Sequence, residues 1–174
     1  MSEQTLMNRW WVVMGGILIQ LCLGAIYAWS AFTTQLTSAP FLFTRTQTEV
    51  IFSAGLVTFA IVMALFSGKW EKKVGPRKVS MAGGILLGLG YVLAGIVGTH
   101  FWGILVGVGL VGGAGIGLAY VCPISVLVKW FPDKKGMITG LAVAGFGFGA
   151  LIWIKLTQGF QFGPFNLTPG WQGL

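Results

Sequence analysis

Charge is what this sequence has least of. Of 174 residues only 9% are charged, and just four are acidic. A soluble domain is roughly a quarter charged, so a water-soluble globule is excluded. Histidine occurs once and cysteine twice. Cys22 and Cys122 both fall in apolar stretches and read as buried free thiols. Two such residues make neither a disulfide framework nor a metal site. His100 sits in a turn with no partner acid nearby, so it reads as a solvated histidine rather than a general acid or base. No nucleophile–base set or phosphate-binding loop occurs. An enzyme is therefore not expected, nor a cofactor.

What the sequence has in abundance is apolar length. It is 55% hydrophobic, with a mean hydropathy of +0.83. Five runs, 10–32, 50–67, 79–99, 101–128 and 136–154, contain no Asp, Glu, Lys or Arg. Each is about the length of helix that crosses a bilayer core, roughly 20 residues. Lipid leaves a spanning segment no partner for its backbone but itself, so helices are expected; barrel strands would alternate polar and apolar residues. The fold class is thus an all-α membrane protein, with a bundle over 1–158 and a fifth helix reaching about 157. The first run is too long, and too closely followed by others, for a cleaved signal peptide. The net charge of +7 does not indicate a nucleic-acid partner, because the basic residues sit in short spacers and not on one face.

Lys and Arg concentrate in cytoplasmic loops. A cytoplasmic N-terminus puts Arg9, Lys69, Lys72, Lys73, Arg77, Lys78, Lys129, Lys134 and Lys135 inside, nine of the eleven basic residues. Only Arg45 and Lys155 fall outside. The stretch Lys129-Trp-Phe-Pro-Asp-Lys-Lys-Gly136 becomes an inside hairpin, where Pro132 interrupts the helix and Asp133 is placed to cap the next one. Thr46-Gln-Thr-Glu49 reads as a capping box opening the second helix. Thr99-His100 leaves room only for a tight outer turn. Residues 159–174 are rich in Gly and Pro and read as an extracytoplasmic loop leading to a missing sixth helix. The unclosed bundle reads as a fragment, or half of something larger.

Glycine organises the runs. The fourth holds Gly103, Gly107, Gly109, Gly113 and Gly117; the third adds Gly84 and Gly88; the fifth adds Gly136 with Gly140 and Gly145 with Gly149. Residues four apart share a helix face, and small faces let helices approach closely in lipid. Such a strip serves static packing or a sliding seam. A weak repeat relates Gly24-Ala-Ile-Tyr27 to Gly117-Leu-Ala-Tyr120 on helices of opposite direction, as in an inverted repeat. Measured from the run centres, Tyr27 falls about 9 Å to the outer side and Tyr120 about 8 Å to the inner side. Two phenols would then flank the midplane, each able to donate to a carboxylate; the alternative is packing or interfacial tyrosines. Pro123 leaves the carbonyl of Ala119 without its usual donor, so a kink is expected. Lys155, about 28 Å along the last helix from Gly136, reads as a snorkelling lysine or a cavity cation. Gln20 reads as interhelical glue or a cavity group.

Several of these stretches resemble the major facilitator superfamily, and within it the oxalate/formate antiporter family. They are Gly115-Ile-Gly-Leu-Ala-Tyr120, Lys129-Trp-Phe-Pro-Asp-Lys-Lys-Gly136, Gly140-Leu-Ala-Val-Ala-Gly-Phe-Gly-Phe-Gly-Ala150 and Ala25-Ile-Tyr-Ala-Trp-Ser30. Monocarboxylate carriers look similar over the hairpin. Gly68-Lys-Trp-Glu-Lys-Lys-Val-Gly-Pro-Arg-Lys78 looks like the superfamily's gating loop. Gly68, Gly75 and Arg77 match it, whereas the usual acid position holds Lys72 and Glu71 stands one residue early. The resemblance implies a fold of two six-helix halves, of which this chain matches the N-terminal one less its sixth helix. It implies transmembrane transport of a small organic anion (oxalate, formate, lactate or similar) by alternating access in a bacterial or archaeal inner membrane. Tyr27 and Tyr120 would be substrate-binding phenols, and Gly68, Glu71, Gly75 and Arg77 the conformational motif. The partners implied are a proton or counter-anion and the missing half, which would supply the anion-pairing cations. The alternatives are a proton-linked monocarboxylate symporter and a non-transporting receptor or assembly subunit.

Overall fold

Because each apolar run closes its hydrogen bonds along itself, five helices are long and apolar enough to cross a membrane. They are Arg9–Thr34, Arg45–Val74, Pro76–Val97, Phe101–Trp130 and Lys135–Leu156, here spans one to five. This computed structural model describes residues 9–38, 42–97, 100–158, 160–162 and 165–167. Within the segment read as loop, Phe160–Phe162 pairs antiparallel with Phe165–Leu167. Residues 159, 163–164 and 168–174 of that segment lie outside the described residues, as do 98–99 of the turn between spans three and four.

Span two is longer at both ends than its charge-free run. It opens at Arg45, and the capping box sits two residues earlier than expected. Gln47 N–H donates to Thr44 Oγ1 at 3.3 Å, and Thr44 N–H donates to Gln47 Oε1 at 2.9 Å. At the other end, Gly68–Val74 continues as helix, since Lys, Trp and Glu are tolerated there. The reversal is confined to Gly75, at φ +91° and ψ 153°, a region essentially reserved for glycine. Pro76 then opens span three, where a missing N–H costs nothing. Asp133 pairs with Arg9 at 3.6 Å.

Three spans are not uniformly wound. Gly24–Ala28 is 3-10 helix in span one. Met63–Ser67 in span two and Leu105–Gly112 in span four are π-helix. Gly113–Trp130 remains one α-helix through Pro123.

Span four is the most buried and serves as the hub. A Cβ on Gly83 of span three would stand 2.6 Å from the carbonyl oxygen of Gly115, and one on Gly90 would stand 2.5 Å from that of Gly107. On span four's other side, a Cβ on Gly113 would meet the Gly55 carbonyl of span two at 2.6 Å. Spans one and five touch through Gly24 and Gly149. Gly84, Gly88, Gly136 and Gly140 have nothing within 4 Å of where a Cβ would be. The seam on span three therefore uses Gly83 and Gly90, a face turned by one residue, about 100°, from the expected one. The Gly145 and Gly149 pair does pack against span one.

Candidate substrate site

Both sequence-singled tyrosines meet one phenylalanine. The Tyr27 ring lies 5.2 Å from that of Phe146 on span five, edge-on at 72°. The Tyr120 ring lies 4.9 Å from the same ring at 70°. Phe59 of span two completes the group, 5.4 Å from Tyr120 and 6.2 Å from Phe146. Edge-to-face pairs contribute about 0.5–1.5 kcal/mol each beyond area burial. The two phenol rings are thus within about 10 Å of each other, closer than the run centres place them. The centre of an apolar run marks depth poorly when helices extend past the run and change winding. Tyr27 is 44% exposed, whereas Phe146 is 5% exposed. Phe146 and Phe59 were not singled out from sequence. The only signal for Phe146 is its place in Gly145-Phe-Gly-Phe-Gly149, where it and Phe148 are equivalent candidates.

Side chains cross-link the helices around this cluster. Gln20 is fully buried, and its Nε2 donates to the Tyr120 carbonyl at 3.4 Å. It acts as glue, with a residue: its Oε1 is buried without a donor among the described residues, an arrangement that costs about 1–3 kcal/mol. Ser67 Oγ donates to Leu118 O at 3.0 Å, joining span two to span four. Trp29 Nε1 donates to Thr48 O at 3.0 Å, and Trp153 Nε1 to Leu21 O at 3.3 Å. Cys122 is buried, but Cys22 is exposed, facing a cavity and not the core. Lys155 is exposed in the last turn of span five, and His100 is exposed.

The four motif residues lie around one helix end and its reversal, where Gly75 N–H donates to the Glu71 carbonyl at 2.9 Å. Gly68 and Gly75 have open space where a Cβ would be, and Arg77 is exposed on the first turn of span three. Glu71 is different, being buried on span two. Ser125 Oγ of span four donates to its Oε1, and Lys129 Nζ lies 4.0 Å away. A second tie joins the ends of spans one and four. Arg9 stacks 4.7 Å over the ring of buried Phe131, and Trp10 lies 5.3 Å from that ring.

The cavities lie elsewhere. One of about 440 Å³ runs between spans one and three, lined by Cys22, Ala25, Phe32, Gly84, Leu87, Gly88, Tyr91 and Trp153. Another of about 440 Å³ is lined by Ile19, Arg77, Ser80 and Cys122 among others. Their walls are almost wholly apolar, and neither Tyr27 nor Tyr120 lines them. Tyr27 is exposed and Tyr120 half-buried. Among the described residues no group of His, Cys, Asp and Glu is placed to hold a metal ion.

Five membrane-length helices make this a multi-pass integral membrane protein. The chain belongs to the Major Facilitator Superfamily, whose profile matches residues 14–154. It is 33% identical over 159 residues to an uncharacterized MFS-type transporter, YhjX, of Escherichia coli, covering 89% of this chain and 36% of that protein. It is 29% identical to apicoplast pyruvate carrier 1 of Toxoplasma gondii, covering 90% of this chain and 35% of the relative. It is 27% identical to the oxalate:formate antiporter of Oxalobacter formigenes, with 89% and 36% covered. The chain spans about a third of the length of these curated relatives.

Proposed function

We propose that this chain is the N-terminal half of a secondary carrier that moves small organic anions such as oxalate, formate or lactate by alternating access. The carrying observation is the convergence of Tyr27 and Tyr120 on Phe146. Two phenol hydroxyls beside one aromatic wall can both donate to a carboxylate, and a second half covering this face would keep water away from those bonds, which strengthens them. Relatives named for pyruvate carriage and for oxalate:formate exchange point to the same ligand chemistry. The five apolar runs carry no cation, so the positive partner of the anion comes from a facing second half. The partly exposed Tyr27 lies on the face that such a half would cover.

In this reading the N-terminus is cytoplasmic, and the Gly75 reversal, Glu71 and Arg77 lie at the inner end. There the Glu71 link to Ser125 and Lys129 ties span two to span four, and Gly68 and Gly75 frame the turn. Coupling is either to a counter-anion or to a proton. The buried Glu71 carboxylate favours keeping the proton-linked symporter as the second reading. The test is Tyr120→Phe in the full-length carrier reconstituted in vesicles. Uptake of radiolabelled oxalate, formate or lactate is expected to fall about tenfold or more, the loss of a hydrogen bond to a charged group. Unchanged uptake would remove the carboxylate role. The 174-residue chain alone is expected not to transport.

A further inference from the structure

We propose that Phe146 sets the size of the carboxylate that the carrier accepts; this rests on the carboxylate-carrier reading above. Phe146 is in edge contact with both phenol rings, at 5.2 and 4.9 Å, so the width of its ring sets how far apart the two hydroxyl-bearing rings stand. The ring has no group that donates to or accepts from a carboxylate, and it therefore acts by volume.

The wall that carries this ring has little freedom to retreat. A Cβ on Gly24 would overlap the carbonyl oxygen of Phe146 itself, and one on Gly149 would overlap that of Leu21. Spans one and five thus meet backbone to backbone on the turn that bears Phe146. Gly145, its neighbour, would put a Cβ 3.3 Å from Ile17 of span one. Because interiors are close-packed and yield poorly, a change of ring volume at position 146 goes into the space beside the phenols and not into a shift of the helix. Phe59 stands 6.2 Å from the ring and 5.4 Å from that of Tyr120, so it fills part of the remaining room around Phe146.

Phe146→Leu opens space contiguous with both tyrosines, and Phe146→Trp fills it. The experiment uses the full-length carrier in vesicles, with radiolabelled oxalate, lactate and glutarate as probes. The readout is the rate for glutarate divided by that for the faster of the other two. This ratio is taken within one protein, so the amount of folded carrier cancels. We expect it to rise about tenfold in Phe146→Leu and to fall in Phe146→Trp, the scale of discrimination that a methylene or two supplies in an apolar pocket. Phe146→Tyr keeps the ring width and is expected to leave the ratio within about twofold. A Leu or Trp variant that lowers all three rates together, with the ratio unmoved, makes Phe146 a packing residue only and overturns the proposal. A wild-type carrier that moves none of the three probes overturns the carboxylate reading and this inference with it.

Discussion

The two Gly-x-x-Tyr segments share their pattern and differ in backbone. Gly24–Tyr27 is wound as 3-10 helix, whereas Gly117–Tyr120 lies in regular α-helix. In 3-10 winding, residues three apart eclipse, so Tyr27 stands directly over the glycine that abuts Phe146. In α-helix the same pair is turned by about 60°, so Tyr120 is offset from Gly117, which meets the Phe59 carbonyl at 2.7 Å, while the Tyr120 ring still touches that of Phe59. Each glycine receives a different helix, span five in one case and span two in the other. Yet both tyrosines reach the same phenylalanine. One pattern therefore encodes a close approach plus a phenol, and the neighbouring helix decides how the turn is wound.

Substitutions can break that comparison. The largest effect is expected for Gly24→Ala, where the added methyl overlaps one backbone oxygen and stands 3.0 Å from the Gly149 Cα. A loss of about 3 kcal/mol, the upper part of the overpacking range, should appear as a lower unfolding midpoint in detergent. Gly117→Ala should cost about 1–2 kcal/mol, since its closest approach, 2.7 Å to the Phe59 carbonyl oxygen, is less severe than the overlap at Gly24. Equal losses at the two sites would remove the distinction drawn between the turns.

Tyr27→Phe and Tyr120→Phe sharpen the comparison in function. Each removes one hydroxyl and little volume, so folding should hold while substrate affinity falls by about 1.5–3 kcal/mol, read as a raised KM for uptake. If only Tyr120→Phe raises KM, the two copies have diverged in role as well as in winding. Adjacent residues test the same close-approach logic. Gly83→Ala should destabilise by about 1–3 kcal/mol, whereas Gly84→Ala, facing open space, should be neutral or gain up to about 1 kcal/mol from helix propensity. The smallest is Lys129→Met. The side chain is 72% exposed and 4.0 Å from Glu71, so less than about 1 kcal/mol should be lost, measured by the same unfolding assay.

Much of the fold was legible from residues alone. Five charge-free runs give five helices, because lipid permits a spanning chain almost no other solution. The family was legible in short stretches such as Lys129–Gly136 and Gly140–Ala150. Tyr27 and Tyr120 were legible as a repeat, but their common contact was not. Phe146 and Phe148 look alike in sequence, and only Phe146 is buried. Likewise Gly83 and Gly84 are adjacent glycines, and their roles follow from which face turns to span four. The capping box was read two residues late because Thr44-x-x-Gln47 and Thr46-x-x-Glu49 satisfy the same pattern. The burial of Glu71 was hidden because a carboxylate in a basic stretch looks solvated until Ser125 of another helix is brought to it.

The sequence by itself determined how many times the chain can cross a bilayer, which family it belongs to and which residue types are available for chemistry. These follow from composition along one dimension, since the transfer of each segment into lipid depends on that segment alone. Tertiary structure alone decided which glycines become seams, where a span tightens or widens its winding, and that two distant phenols share one aromatic ring. Those outcomes depend on close approach between segments more than a hundred residues apart, as in the Trp153 contact with the Leu21 carbonyl, 132 residues away. No local pattern records a neighbour that folding has yet to supply.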